Sequence, residues 1–156
     1  MSRHQEELTS LGFLSLTPFV LGAAVLWLSP FIIPMWVALN VHTLVLTYGG
    51  VVAAYIAGVG AGAALKSHAP QSFAPGMIAA LAAWFAILHG GFLTLSAPAV
   101  WRYVILIIVF VWLLMRDLRA VDDLPSWYGA LRTRLTFWAA ISLTLIMARL
   151  LAWGYY

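Results

Sequence analysis

The sequence contains no cysteine. That excludes disulfides, thiolate catalysis, cysteine-held iron–sulfur clusters and c-type haem attachment. Charge is almost as scarce. Eight Lys and Arg and five Asp and Glu make up 8% of 156 residues, against roughly 25% in an average soluble domain. A water-soluble globule could not cover its surface with so few. No Asp or Glu falls within any apolar stretch. This argues against a carboxylate-based proton or cation carrier and against intramembrane aspartyl chemistry. Nucleophile systems are missing too: Ser10, Ser15 and Ser142 have no evident base at helical spacing.

What is present is apolar. Hydrophobic residues make up 64% of the chain, and mean hydropathy is +0.98. The composition is that of an integral membrane protein, a single domain over residues 1–156. The net charge of +3 has no soluble domain to form a basic patch. It reads as a topology signal, and no nucleic acid is expected as a partner.

Between Leu8 and Leu65 there is no charged residue. As one helix that run would extend about 87 Å, against a hydrocarbon core of about 30 Å. It must fold back, and Pro30 and Pro34 mark where. The pattern predicts an all-α bundle of five transmembrane helices near residues 9–28, 36–65, 76–95, 99–115 and 135–153. Pro18 predicts a kink in the first. Gly90 and Gly91 offer a bending or close-approach site in the third. The segment from Leu124 to Arg132 predicts a short interfacial helix before the last span, with Trp127 and Leu131 on one side. Met1–Glu7 does not read as a cleavable leader.

Five spans place the termini on opposite sides. With the N-terminus inside, six cations are internal: Arg3, Lys66, Arg116, Arg119, Arg132 and Arg134. Only Arg102 and Arg149 are external. This is the positive-inside bias. Trp27, Trp36, Trp101, Trp153, Tyr155 and Tyr156 then form an outer aromatic belt. Trp112, Trp127, Tyr128 and Trp138 form an inner one. Arg149 reads as a side chain snorkelling from the end of the last helix. The expected location is a bacterial cytoplasmic membrane, ahead of the mitochondrial inner membrane.

On the second span, Asn40, Thr43, Thr47, Gly50, Ala54, Gly58, Ala61 and Gly62 share an arc of about 120°. Gly50, Ala54, Gly58 and Gly62 recur every four residues, a spacing that lets helix backbones approach closely. The arc predicts the buried packing face, with a substrate-lining groove as the alternative. His42 points about 160° away from it, toward lipid or another partner. His42 and His89 sit at similar depth on antiparallel neighbours. Together they could ligate a haem or touch a quinone, although no cofactor or metal is expected. Arg116, Arg119, Trp127, Tyr128, Arg132 and Arg134 form a candidate inner docking surface for a partner protein.

The chain resembles the domain of unknown function 3429 family, which includes transmembrane protein 69-like membrane proteins. The resemblance rests on the order and spacing of several segments. Leu11-Gly12-Phe13 is followed by Thr17-Pro18-Phe19. Tyr48-Gly49-Gly50-Val51 is followed by Gly58 and Gly62-Ala63-Ala64-Leu65. Asp117 precedes Trp127-Tyr128, Leu131-Arg132 and Leu135-Thr136. The family pattern has His-Trp where this chain has Gly60-Ala61. The resemblance implies a membrane fold and no established reaction. The residues therefore leave two readings. One is a non-catalytic interaction protein, an assembly factor or accessory subunit of a larger respiratory or photosynthetic complex. The other is a small carrier or a haem- or quinone-binding protein.

Overall fold

Pro18 cannot donate a backbone hydrogen bond, and the first helix ends just before it. A computed structural model describes residues 3–66, 74–87, 99–119 and 126–154. In it α1 covers Arg3–Ser15 and α2 covers Thr17–Leu28. At the break, Phe19 N and Val20 N both donate to Leu16 O, at 3.0 and 3.1 Å. The carbonyl of Ser15 accepts from the Tyr48 hydroxyl at 2.9 Å. The expected kink is therefore a helix interruption whose displaced acceptor is filled by a neighbouring helix. Glu6–Leu28 remains long and apolar enough to cross a membrane as one bent pass.

Three further helices have the length and composition to cross: Met35–Ala63, Ala99–Arg119 and Trp127–Ala152. They belong to α3 (Met35–Lys66), α5 (Ala99–Arg119) and α6 (Ser126–Ala152). Between α3 and α5 lies α4, Ala74–Ile87, a shorter apolar helix in its described part. Gly90 and Gly91 lie outside the described residues. At 32 residues, α3 extends about 48 Å, well beyond the hydrocarbon core.

The helices form a ring in the order α2, α3, α4, α5, α6, with α6 closing against α2 and α3 also touching α5. Buried large side chains come mainly from α5 and α6: Tyr103, Leu106, Phe110, Leu113, Leu143 and Ile146. α4 contributes only small residues, Gly76, Ala79, Ala83 and Ala86. Their spacing sets one narrow face against its neighbours. A Cβ at Gly76 would come within 3.4 Å of the Ala57 carbonyl, and one at Gly50 within 3.4 Å of the Ala83 carbonyl. Such close backbone approach is how membrane helices gain dispersion contact without a hydrophobic drive.

α3 packs through a different stripe from the expected one. Its buried residues include Ala38, His42, Val45, Leu46, Gly49, Gly50, Ala53 and Ala57. Gly50 alone of the predicted arc is buried. Asn40, Thr47, Ala54, Gly58 and Gly62 are exposed, and Thr43 and Ala61 are half-buried. Nothing lies within 4 Å of a Cβ built at Gly58 or Gly62. The two stripes are offset by about one residue, or 100°, and both are rich in small side chains. What decides between them is the partners. Leu106 and Phe19 close over Gly49, and Arg116 lies over Gly60. The polar residues of the arc do not bond across helices either. Asn40 Nδ2, Thr43 Oγ1 and Thr47 Oγ1 donate to Trp36 O, Leu39 O and Thr43 O on their own helix.

The last helix also differs. Among the described residues no separate interfacial helix precedes it, because α6 runs unbroken from Ser126; Leu124 and Pro125 of the expected segment lie outside them. Ala130–Leu135 has no Pro or Gly to stop it. Gly129 sits against Leu118, and Arg132 bonds to α5. These contacts hold the first turns of α6 in the bundle.

Candidate functional site

The C-terminal ends of α3 and α5 meet the N-terminal ends of α4 and α6. Here α5 carries Arg116 and Asp117 in its last turn, and α6 carries Arg132 and Thr136 one turn apart. Arg132 Nε donates to Asp117 Oδ2 at 3.1 Å. Arg132 Nη1 donates to Thr136 Oγ1 at 3.1 Å. Arg116 Nη2 stands 3.6 Å from the other carboxylate oxygen, Oδ1. The Arg132 and Asp117 side chains are 7% and 8% exposed, and that of Arg116 is 25% exposed.

Two glycines make room for Arg116. A Cβ at Gly60 of α3 would overlap its guanidinium, and one at Gly76 of α4 would lie 3.1 Å from Nη1. The side chain is thus laid into a slot between α3 and α4. Gly60 is a position where the family resemblance implies histidine. In this chain the guanidinium occupies the space that such a side chain would need. Two nitrogens of the cluster, Arg116 Nη2 and Arg132 Nη2, are buried without a hydrogen-bond acceptor. One carboxylate therefore faces two cations, and two strong donors are unfilled.

Of the six residues expected to form a docking surface, the structure turns Arg116 and Arg132 inward. Arg119 and Arg134 are exposed, and Trp127 and Tyr128 are half-buried. The correction has a simple cause. Asp117 lies at the end of α5, and a buried carboxylate draws its counter-charges in. Spacing in the sequence marked Asp117, Arg132 and Thr136 through the family pattern, but their mutual contact was not legible there. Arg132 and Thr136 at i, i+4 were the available signal.

The opposite end of the bundle carries two more inward-turned arginines, Arg102 buried and Arg149 half-buried. Arg102 is 2% exposed. Its Nε donates to Ala86 O at 2.8 Å and its Nη2 to Ile87 O at 3.1 Å, the last two described residues of α4. Arg149 does not snorkel outward. Its Nη2 donates to Ser29 O at 2.6 Å, and its guanidinium lies 5.3 and 5.1 Å from the Trp27 and Trp153 ring centres. The carbonyls left open at the end of α2 explain that direction. Trp27 Nε1 in turn donates to Leu145 O at 3.2 Å. Trp27 and Trp153 thus frame a cation as well as standing at a helix end.

His42 faces inward, contrary to the lipid-facing expectation, and is 3% exposed. The Tyr103 hydroxyl donates to His42 O at 2.9 Å and lies 3.4 Å from Nδ1. Nε2 lies 3.4 Å from Thr43 Oγ1. The imidazole is packed between α3 and α5, since α3 presents the 38–42–46–49 stripe to the core. His89 lies outside the described residues, as do Tyr155 and Tyr156. Among the described residues, no three His, Asp or Glu side chains gather as a metal-binding group. Two open grooves flank Pro18 on α2. One is lined by residues including Phe13, Val20, Leu21 and Trp138, the other by Val25, Val41, Leu44 and Tyr48. Both are apolar and suit acyl chains better than a polar substrate.

A family model described as "Protein of unknown function (DUF3429)" matches residues 4–148. No curated protein and no solved structure matches the chain.

Proposed function

For a chain that belongs to the DUF3429 family, we propose the role of a non-catalytic interaction protein of the membrane. It acts as an assembly factor or accessory subunit of a larger inner-membrane respiratory or photosynthetic complex. The observation that carries this reading is the outward face of α3. Gly58 and Gly62 have nothing within 4 Å of a Cβ, and Ala54 is exposed beside them. Around them Val51, Tyr55 and Val59 are exposed as well. A stripe of small residues flanked by large ones is the surface that another membrane helix packs against. Support also comes from how the polar side chains are used. Tyr103, Arg102, Arg132, Asp117 and Arg149 each bond one helix to another, which is structural employment.

In this reading the N-terminus is internal, the basic end of the bundle faces the bacterial cytoplasm, and Arg119 and Arg134 are its exposed cations. The test is copurification of the full chain in mild detergent, with mass spectrometry of what accompanies it. Membrane subunits should accompany the wild type. Gly58→Leu with Gly62→Leu should accumulate normally and lose them. Replacing His42 and His89 together by Gln should keep them. Partners that survive the glycine replacements, or that depend on the two histidines, would overturn the reading. A visible chromophore lost with the histidines would favour a haem-binding protein instead.

A further inference from the structure

We infer that Arg116 and Arg132 form a binding site for an anionic phosphate group. The group comes either from an anionic phospholipid headgroup or from free inorganic phosphate. The site is built rather than merely basic. Arg132, with its side chain 7% exposed, commits Nε to Asp117 and Nη1 to Thr136, which fixes the plane of its guanidinium. Its Nη2 remains buried without an acceptor, and so does Arg116 Nη2 on the other side of the same carboxylate. The two guanidiniums are thus held by one Asp117: Arg132 Nη2 has no acceptor, and Arg116 Nη2 has only the 3.6 Å ion-pair approach to Oδ1, beyond hydrogen-bond distance. The formal charge of the three groups is one positive in excess.

The surrounding backbone adds to the excess. Arg116 Nη1 lies over Gly76 in the first turn of α4, and Arg132 lies in the second turn of α6. Arg116 itself belongs to the last turn of α5, whose open carbonyls favour a cation, so the first turn of α4 is the neighbouring end whose unpaired amides favour an anion. Among the described residues Asp117 is the one carboxylate that faces both cations. A phosphate oxygen accepts from several guanidinium nitrogens at once, and arginine is the side chain suited to it.

Depth points the same way. At 21 residues, α5 extends about 31 Å, close to the hydrocarbon thickness. Arg116 and Asp117 in its last turn therefore stand at the level of lipid phosphodiesters. Arg116, the more exposed of the pair, is the side from which the group approaches.

The test uses the full chain, delipidated in a neutral detergent. It is titrated separately with inorganic phosphate, dioctanoyl phosphatidylglycerol and zwitterionic dioctanoyl phosphatidylcholine. Thermal midpoint and native-mass-spectrometry adducts are the readouts. Phosphatidylglycerol or phosphate should raise the midpoint where phosphatidylcholine does not. Response to phosphatidylglycerol alone identifies a headgroup site, and an equal response to phosphate alone identifies a free-ion site. Arg116→Gln should weaken binding at least tenfold, and Arg119→Gln, which removes an exposed cation one turn away, less than twofold. The inference fails if neither anion shifts the midpoint, if phosphatidylcholine does as well as phosphatidylglycerol, or if the two arginine variants lose affinity equally. The wild-type comparison of the three titrants decides even if Arg116→Gln does not fold.

Discussion

Replacing Asp117 by Asn changes one oxygen to an amide and leaves the shape of the side chain. Among the described residues it removes the one counter-charge paired with Arg132, whose Nε lies 3.1 Å away. Two unit charges about 4 Å apart attract by about 4 kcal/mol at an effective dielectric near 20. The folded state has already met the cost of burying both. Breaking such a pair from one side therefore costs about 3–5 kcal/mol, since the remaining cation is buried without compensation. Arg116 adds little, because its side chain is 25% exposed and its approach is 3.6 Å. A partly exposed pair at that distance is worth about 0–1 kcal/mol. The assay is equilibrium unfolding in mixed micelles by SDS titration, followed by helical circular dichroism. Asp117→Asn should lose about 3–5 kcal/mol, and Arg132→Met a similar amount. The double variant Asp117→Leu with Arg132→Met should lose clearly less than the sum, because no buried charge is stranded. If Asp117→Asn lies within about 1 kcal/mol of wild type, or the double loss equals the sum, the ion pair does not hold α5 to α6.

Gly49→Leu should destabilise by about 3 kcal/mol, since even its Cβ would stand 2.5 Å from the Leu106 side chain. Gly58→Leu, in open space, should leave the unfolding free energy within about 0.5 kcal/mol; equal losses at both would mean that α3 is turned the other way. Arg149→Met should cost about 2–3 kcal/mol, from the bond to Ser29 and the two ring contacts. Tryptophan emission should change with it, and unchanged emission and stability would mean that Trp27 and Trp153 do not hold the guanidinium. Reporter fusions should read internal between Arg119 and Ser126, where α5 ends and α6 begins, and external after Tyr156, and a cytoplasmic C-terminus would refute the proposed orientation.

The helical bundle was legible because its signals are collective. Scarce charge, long apolar runs and proline breaks each concern many residues, and no single packing choice can overturn them. Pro18 was legible as a local rule, since a missing N–H forces a break whatever the surroundings. Facing was harder. On α3 the stripes through Gly49 and Gly50 differ by a single residue, and both carry small side chains. Only Leu106, Phe19 and Arg116, all from other helices, select between them. His42 was misplaced for the same reason, because its direction follows the rotation of the whole helix. The arginines were misjudged differently. Membrane-interface cations ordinarily extend outward, and the sequence does not show where α2 leaves a carbonyl open or where α3 lacks a side chain.

Those arginines sort into two kinds, and the difference follows from the acceptors they meet. Arg149 reaches Leu26 O and Ser29 O at the end of α2. Carbonyls at a helix C-terminus carry partial negative charge and lack partners, so the cation and the backbone satisfy each other. Arg102, on Ala86 O and Ile87 O, also meets carbonyl oxygens. These contacts complete a structure and leave little to attract anything else. Arg116, in the last turn of α5, lies over the first turn of α4, and Arg132 lies in the second turn of α6; the acceptor they meet is a side-chain carboxylate. Among the described residues Asp117 is the one carboxylate placed between them, and Arg116 Nη2 and Arg132 Nη2 are left without a hydrogen-bond acceptor. In a bundle that joins its helices mainly through apolar contact, unspent positive charge therefore collects at one end. That end is where a phosphate would complete the hydrogen bonding that the backbone completes at the other.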